Sequence, residues 1–165
     1  LLSLGHTRIA MVSGPTSDQS GGVARLEGYQ DAMREHGCEI LDSYMQVGAD
    51  YTYKTGYSKM EKLLQLPKPP SAVFLAGDYL AIGAIKAADH YHLKVPDQLA
   101  VMGFDNLAVS QYYLPSLSTV DQPRYKMGQE AMRLLFSQME GEMPKSLSVV
   151  LPHEILVRQS SGNDI

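Results

Sequence analysis

Apolar residues in this chain come first as short runs and then at helical spacing, and the alternation repeats three times. Residues 8–13 (RIAMVS) are a β-rich apolar run. A loop at 14–22 (GPTSDQSGG) leads into residues 23–36, where Val23, Leu26, Ala32 and Met33 form a helical stripe. Gly37 supplies the stop expected at a helix C-terminus. Residues 39–45 (EILDSYM) predict a second strand, and residues 52–66 a second helix with Tyr57, Met60, Leu63 and Leu64 on one side. Pro67, Pro69 and Pro70 end that helix, because proline has no N–H for the ladder and restricts the residue before it. Residues 71–106 read as a strand–helix–strand unit. Apolar runs at 72–76 and 99–102 flank Ala81, Ile82, Ala84, Ile85 and Ala88 at helical spacing. Three strand–helix repeats followed by a fourth strand predict an α/β fold, a doubly wound parallel sheet with helices on both faces.

After Asn106 the rhythm breaks. Residues 109–122 (VSQYYLPSLSTVDQ) mix prolines, serines and aromatics without a stable period, which predicts a long surface connection. Pro123 opens a helix over residues 123–140 with Met127, Ala131, Leu134, Leu135 and Met139 in register, and Gly141 stops it. That stripe is core-type packing in need of a partner surface. Residues 146–151 and 154–157 are strand-like, and Pro152 between them demands an edge position or a bulge. The polar tail, 159–165, is expected to fray.

Composition narrows the classes. With 165 residues and 44% hydrophobic content the chain is about one domain with enough apolar surface for a core. No apolar run approaches the ~20 residues of a membrane span, so no membrane partner is expected. A formal net charge of −4 argues against a nucleic-acid-binding surface on this chain itself. The single cysteine, Cys38, excludes an internal disulfide and reads as a packing residue rather than a catalytic thiol. The sequence starts at Leu1 and enters a strand within a few residues, which raises the expectation of a piece of something longer.

Motifs for the common enzyme chemistries are missing: there is no G-x-S-x-G, C-x-x-C, H-E-x-x-H or Walker lysine. His90 and His92 stand two apart on a predicted helix and point in different directions, so neither a metal nor a cofactor is expected. Asp78 and Asp105 fall at the carboxyl ends of adjacent predicted strands, the edge where open α/β sheets bind ligands. Asp78 stands at a helix start, where a carboxylate caps free N–H groups. Asp105 follows Gly103 and Phe104 with no helix directly after it, and is the stronger ligand candidate. The loop at 14–22 sets glycines ahead of a helix as a phosphate cradle would, without the spacing of a dinucleotide fingerprint. Arg25 can reach across a cleft, its planar fork suited to a carboxylate or vicinal hydroxyls; a salt bridge to Glu27 or Asp50 is the competing reading. Tyr51 offers a ring face for stacking.

Several stretches taken in order carry a resemblance. They are LGHTRIAMVSGP (4–15), ARLEGYQDAM (24–33), AVFLAGDYLAIGAIKAADHYHLKVPDQLAVMGFDN (72–106), LPSLSTVDQP (114–123), MGQEAMRLL and LPHEILVRQSSG. Together they resemble the LacI/GalR family of bacterial transcription regulators, in the later half of its effector-binding core. The resemblance implies one subdomain of a type I periplasmic-binding-protein-like fold, in which two doubly wound subdomains hold a small ligand between them. It assigns residues 1–110 to the later subdomain, 111–145 to a crossover and a helix that packs on the first subdomain, and 146–165 to closing strands and tail. The operator-reading head and the first subdomain are expected to be missing from this chain.

Carried over residue by residue, Arg25 in R-L-x-G matches the arginine that holds effector polar groups, and Tyr51 the aromatic that stacks on the ligand. Asp105 in G-F-D-N matches the aspartate that binds effector hydroxyls or amines, and Gln122 a glutamine at a crossover. Gly77 replaces an effector-contacting asparagine of some members, and Asp78 matches an acidic helix-start position. Asp18 and Ser20 fall in a loop of variable length and carry over poorly. Tyr112, Tyr113, Leu114 and Pro115 lie where family dimers pack, which implies a homodimer. The implied function is not enzymatic: a cytoplasmic regulator's effector-binding part, with a monosaccharide favoured over a purine and operator DNA bound only through the missing head. The alternative is an exported sugar-binding protein of a transporter or receptor.

Overall fold

The computed structural model describes residues 1–141 and 148–162. Its strands are β1 (Ile9–Ser13), β2 (Met45–Val47), β3 (Ala72–Leu75), β4 (Ala100–Phe104), β5 (Ser118–Asp121) and β6 (Glu154–Leu156), in one sheet of order β2-β1-β3-β4-β5-β6. The first five are mutually parallel, and β6 pairs antiparallel with β5 at the edge, the place Pro152 required. The helices are α1 (Ala24–Glu35), α2 (Tyr53–Leu64), α3 (Asp78–His90), the short α4 (Ala108–Tyr112) and α5 (Arg124–Met139). β1 is flanked by β2 and β3, so the strand order reverses there and opens a crevice at the carboxyl ends.

Side chains alternate across the strands and divide the core between two faces. On one face Val73, Leu75, Val101 and Thr119 are buried under α2 and α3. Those two helices approach backbone to backbone: a Cβ on Gly56 would overlap the Leu80 main chain, and one on Gly83 would overlap the Tyr53 carbonyl. On the other face α1 covers β1, and the Tyr29 hydroxyl donates to the Ile9 carbonyl at 2.8 Å. Phe74, Met102, Phe104 and Val120 line an open groove of about 630 Å³ between α1 and the far half of the sheet. Helices on both faces of a doubly wound sheet match the expectation.

Four expected elements differ. The second strand is Met45–Val47 rather than 39–45, because a 3-10 turn at Asp42–Tyr44 buries Tyr44 and lets its hydroxyl donate to the Lys68 carbonyl at 2.7 Å. Residues 109–122 are not a surface connection: they hold all of α4 but its first residue and the whole of β5. Ser118 and Thr119 sit in the core with their hydroxyls bonded to the Arg158 carbonyl and to Asp78, so polar residues occupy core positions and hide the strand's apolar pattern. Residues 148–151 have no regular structure, and 146 and 147 lie outside the described residues. The tail does not fray at its start, where Gln159–Ser161 forms a 3-10 turn with Ser160 and Ser161 buried. The Ser160 hydroxyl donates to the Val101 carbonyl at 2.7 Å; residues 163–165 lie outside the description. The helix at 123–140 behaves as expected. None of its residues is buried; Met127 and Leu135 are exposed and Leu134 half-buried.

Candidate functional site

All five parallel strands deliver their ends to one edge. Gly14 follows β1, Tyr51 follows β2, Gly77 follows β3, Asp105 follows β4 and Gln122 follows β5. Arg25 joins them from the first turn of α1. Its guanidinium lies over the Phe104 ring, 3.8 Å from the centroid, donates to the Ala76 carbonyl, and stands 3.7 Å from Asp105 Oδ1. It therefore bridges β3 and β4 and does not pair with Glu27 or Asp50. Gln122 Nε2 donates to the same Asp105 oxygen at 2.6 Å. Both Arg25 and Asp105 stay partly exposed, with side-chain accessibilities of 18% and 30%. Burial raises the Asp105 carboxyl above its ordinary value against the opposing pull of Arg25 and Gln122.

Tyr51 is held rather than free. Its hydroxyl donates to Asp18 Oδ2 at 2.6 Å, and a Cβ at Gly14 or Gly21 would overlap the phenol. Burial, then the bond to Asp18, pushes the phenol up to about 12. A Cβ at Gly77 would lie 3.5 Å from Tyr51 Cδ1 and 3.6 Å from Asp105 Oδ2, so this glycine leaves open the space between ring and carboxylate. Arg25, Tyr51, Gly77, Asp105 and Gln122 are thus brought together as expected.

Asp78 is the correction. Gly77, not Asp78, is the N-cap of α3, and it makes no side-chain cap bond. The Asp78 side chain is fully buried and accepts from the Leu107 N–H (2.7 Å), the Ser110 hydroxyl (2.5 Å) and the Thr119 hydroxyl (2.6 Å). Its carboxylate thus ties α3 to β5 and to the start of α4, enclosed away from the ligand edge, because three donors from later in the chain converge on it. Tyr112, Tyr113, Leu114 and Pro115 lie elsewhere, around a separate concavity of about 880 Å³ with Lys86 and His92; Tyr112 and Leu114 are 78% and 82% exposed.

Two further residues belong to the edge. Asp105 and Asn106 carry positive φ angles of 107° and 49°, a region that favours glycine and that persists only where neighbours hold it. Asn106 is so held. Its N–H donates to Thr119 Oγ1, its side-chain amide to Asp121 at 3.0 Å, and its two oxygens accept from Arg124 and Arg158 at 3.1 and 2.8 Å. The other is Asp18, which caps the turn leading into α1. An Asx residue shortly before a Gly-Gly pair at a helix start was the signal for it; nothing local marked Asn106, whose partners lie 13 to 52 positions away. Among the described residues no group of three His, Cys, Asp or Glu side chains could hold a metal ion, and no helix is long and apolar enough to cross a membrane.

A doubly wound sheet whose switch-point edge gathers an arginine, an aromatic, an aspartate and a glutamine has its polar residues where open α/β sheets bind ligands. The chain belongs to the periplasmic binding protein-like domain family, whose model matches residues 1–161, in the form found in LacI-type regulators. It is similar to the HTH-type transcriptional repressor CytR of Escherichia coli (strain K12), 40% identical over 161 residues, covering 98% of this chain and 47% of the repressor. It is similar as well to catabolite control protein A of Priestia megaterium, 41% identical and covering 98% and 48%. A solved complex of the transcriptional regulator CelR with cellobiose superposes with a TM-score of 0.92 at 34% identity, covering 98% of this chain and 49% of that one. The chain spans about half the length of the curated relatives it matches. These relatives are regulators rather than enzymes.

Proposed function

We propose that this chain is the effector-binding and dimerisation part of a cytoplasmic, DNA-binding bacterial transcription regulator, and that its effector is a small neutral sugar, with a purine as the second choice. The observation that carries the reading is the convergence of Arg25, Tyr51, Asp105 and Gln122 on one sheet edge around the space left by Gly77. An acceptor (Asp105), two donor-bearing side chains and a ring face are what hydroxyl-rich ligands need. The cellobiose bound to the structural neighbour supports the sugar class. The regulator relatives favour this reading over an exported sugar-binding protein.

The mechanism is a population shift. Gln122 follows β5 directly and lies two residues before α5, so a ligand that competes for Asp105 disturbs the bond anchoring that crossover. A ligand that prefers one position of the crossover then favours one orientation of the two lobes, and with it one affinity for operator DNA. DNA is read by another part of the full-length protein, since this chain's net charge is −4. The dimer forms through residues 112–115.

Calorimetric titration of the full-length protein with D-glucose, cellobiose, adenosine and adenine tests the assignment. One class should bind at micromolar concentration, and Asp105→Asn should weaken it about tenfold or more. Turnover of any of these compounds that disappears with Asp105→Asn would show an enzyme instead.

A further inference from the structure

The loop ahead of α1 has the glycines of a phosphate cradle, yet its amides already hold an anion from the chain itself. Asp18 Oδ1 accepts from the N–H groups of Ser20 (3.1 Å) and Gly21 (3.0 Å) and from the Ser20 hydroxyl (3.0 Å). Asp18 Oδ2 accepts from the Tyr51 hydroxyl. The next two amides, Gly22 and Val23, donate to the Asp18 main-chain oxygen, both at 3.0 Å. One residue thus satisfies the four N–H groups of residues 20–23, the groups by which a helix start would hold a phosphate.

The arrangement has little slack. Tyr51 sits in a slot where added Cβ atoms at Gly14 and Gly21 would overlap it, so its hydroxyl stays on Asp18. The other edge of the ring faces Gly77 and, beyond it, Asp105. The candidate ligand space therefore lies between the Tyr51 ring and Asp105, with the Asp18 carboxylate at the hydroxyl end of that ring, and the neighbouring cation, Arg25, is engaged with the Ala76 carbonyl, the Phe104 ring and Asp105. A phosphate reaching this end of the site would meet the Asp18 charge with the amides of residues 20–23 already taken, and like charges at short range repel.

We propose that Asp18 is a specificity-determining residue: it fills the anion position of the loop and restricts the site to ligands without a phosphate group, neutral polyols or nucleosides. This rests on the reading of the edge as an effector site. The hydrogen bonds from Gly21, Tyr51 and Ser20 hold the Asp18 carboxyl down to about 2, so it is ionised near neutrality.

The test uses the full-length protein, inorganic phosphate, and two ligand pairs that differ only in a phosphate: D-glucose with glucose 6-phosphate, and adenosine with adenosine 5′-monophosphate. For the wild type the phosphorylated member of a binding pair should be at least about tenfold weaker, with no saturable phosphate binding in the millimolar range. Asp18→Ser keeps a short capping hydroxyl and removes the charge, and should close that gap and gain phosphate binding. Asp18→Asn is the second variant, and thermal melting establishes that each is folded. A wild type that binds the phosphorylated partner as tightly as its parent, or folded variants that gain no phosphate binding, overturns the proposal. If neither neutral compound binds, the effector reading fails, whereas the gain of phosphate binding in the variants still decides the role of Asp18.

Discussion

Asn106 shows how much one residue at this edge has to satisfy. Its backbone sits in the left-handed region, and its four polar groups bond to Thr119 and Asp121 of β5, to Arg124 of α5 and to Arg158 of the closing segment. Asn106→Ala forces a Cβ-bearing residue without a local polar partner into that backbone and abandons two side-chain bonds. It should cost about 2–4 kcal/mol. Asn106→Gly relieves the backbone and should cost less, so the order of the two in urea unfolding separates strain from hydrogen bonding. Asp18 gives a pH signature. Its folded carboxyl lies at about 2, below the ordinary 3.8, so its contribution to stability is present above the ordinary value and is lost as pH falls from there toward 2. The stability difference between wild type and Asp18→Asn should accordingly shrink over that interval in acid titration.

At the scale of elements, two helix contacts lead to opposite expectations. α2 and α3 touch through glycines, and Gly83→Ala places a methyl against the Tyr53 carbonyl in a contact made of backbone on both sides. The helices have to part, and chemical denaturation should record a loss of at least ~2 kcal/mol. α5 is the reverse case. Phe136 and Met139 are exposed on a helix with no buried residue, so Phe136→Asp should change the stability of this chain by no more than about 0.5 kcal/mol in the same assay. In the full-length protein the substitution should cost more if the apolar face meets a second lobe, as the family resemblance implies.

At the scale of the molecule, the ligand edge is a single wall. Tyr51, Asp105 and Gln122 follow strands of one sheet, Arg25 comes from the α1 turn packed on it, and the chain spans about half the length of its curated relatives. Titrated by itself, this chain should bind glucose, cellobiose or adenosine no tighter than roughly millimolar, because an edge open on one side buries only part of a small ligand. Sub-micromolar binding by this chain would contradict the two-walled reading. Leu114→Asp should lower the dimer fraction of the full-length protein in sedimentation, since Leu114 is exposed where the partner is expected.

Local pattern alone determined the βαβαβαβ order, the parallel sheet, the carboxyl-end placement of Asp105 and the apolar stripe of the helix at 123–140; that the stripe is exposed followed from the resemblance. Periodicity, glycine stops and proline breaks are local, and strand ends follow from them. The planar fork of Arg25 and the ring of Tyr51 made them candidates on residue chemistry, and the motif resemblance added Gln122 and Gly77 and set all four beside Asp105. Tertiary structure decided what depends on partners far along the chain. Asp78 reads as a cap until the Thr119 and Ser110 hydroxyls arrive from about 30 to 40 residues away and bury it. β5 was hidden because its core positions are serine and threonine, tolerable inside only once Asp78, Arg158 and Ser161 supply hydrogen bonds. The buried tail and the strained Asp105–Asn106 pair have the same origin. A polar group's place is set by which donors and acceptors the fold brings to it, and that is not written in the residues beside it.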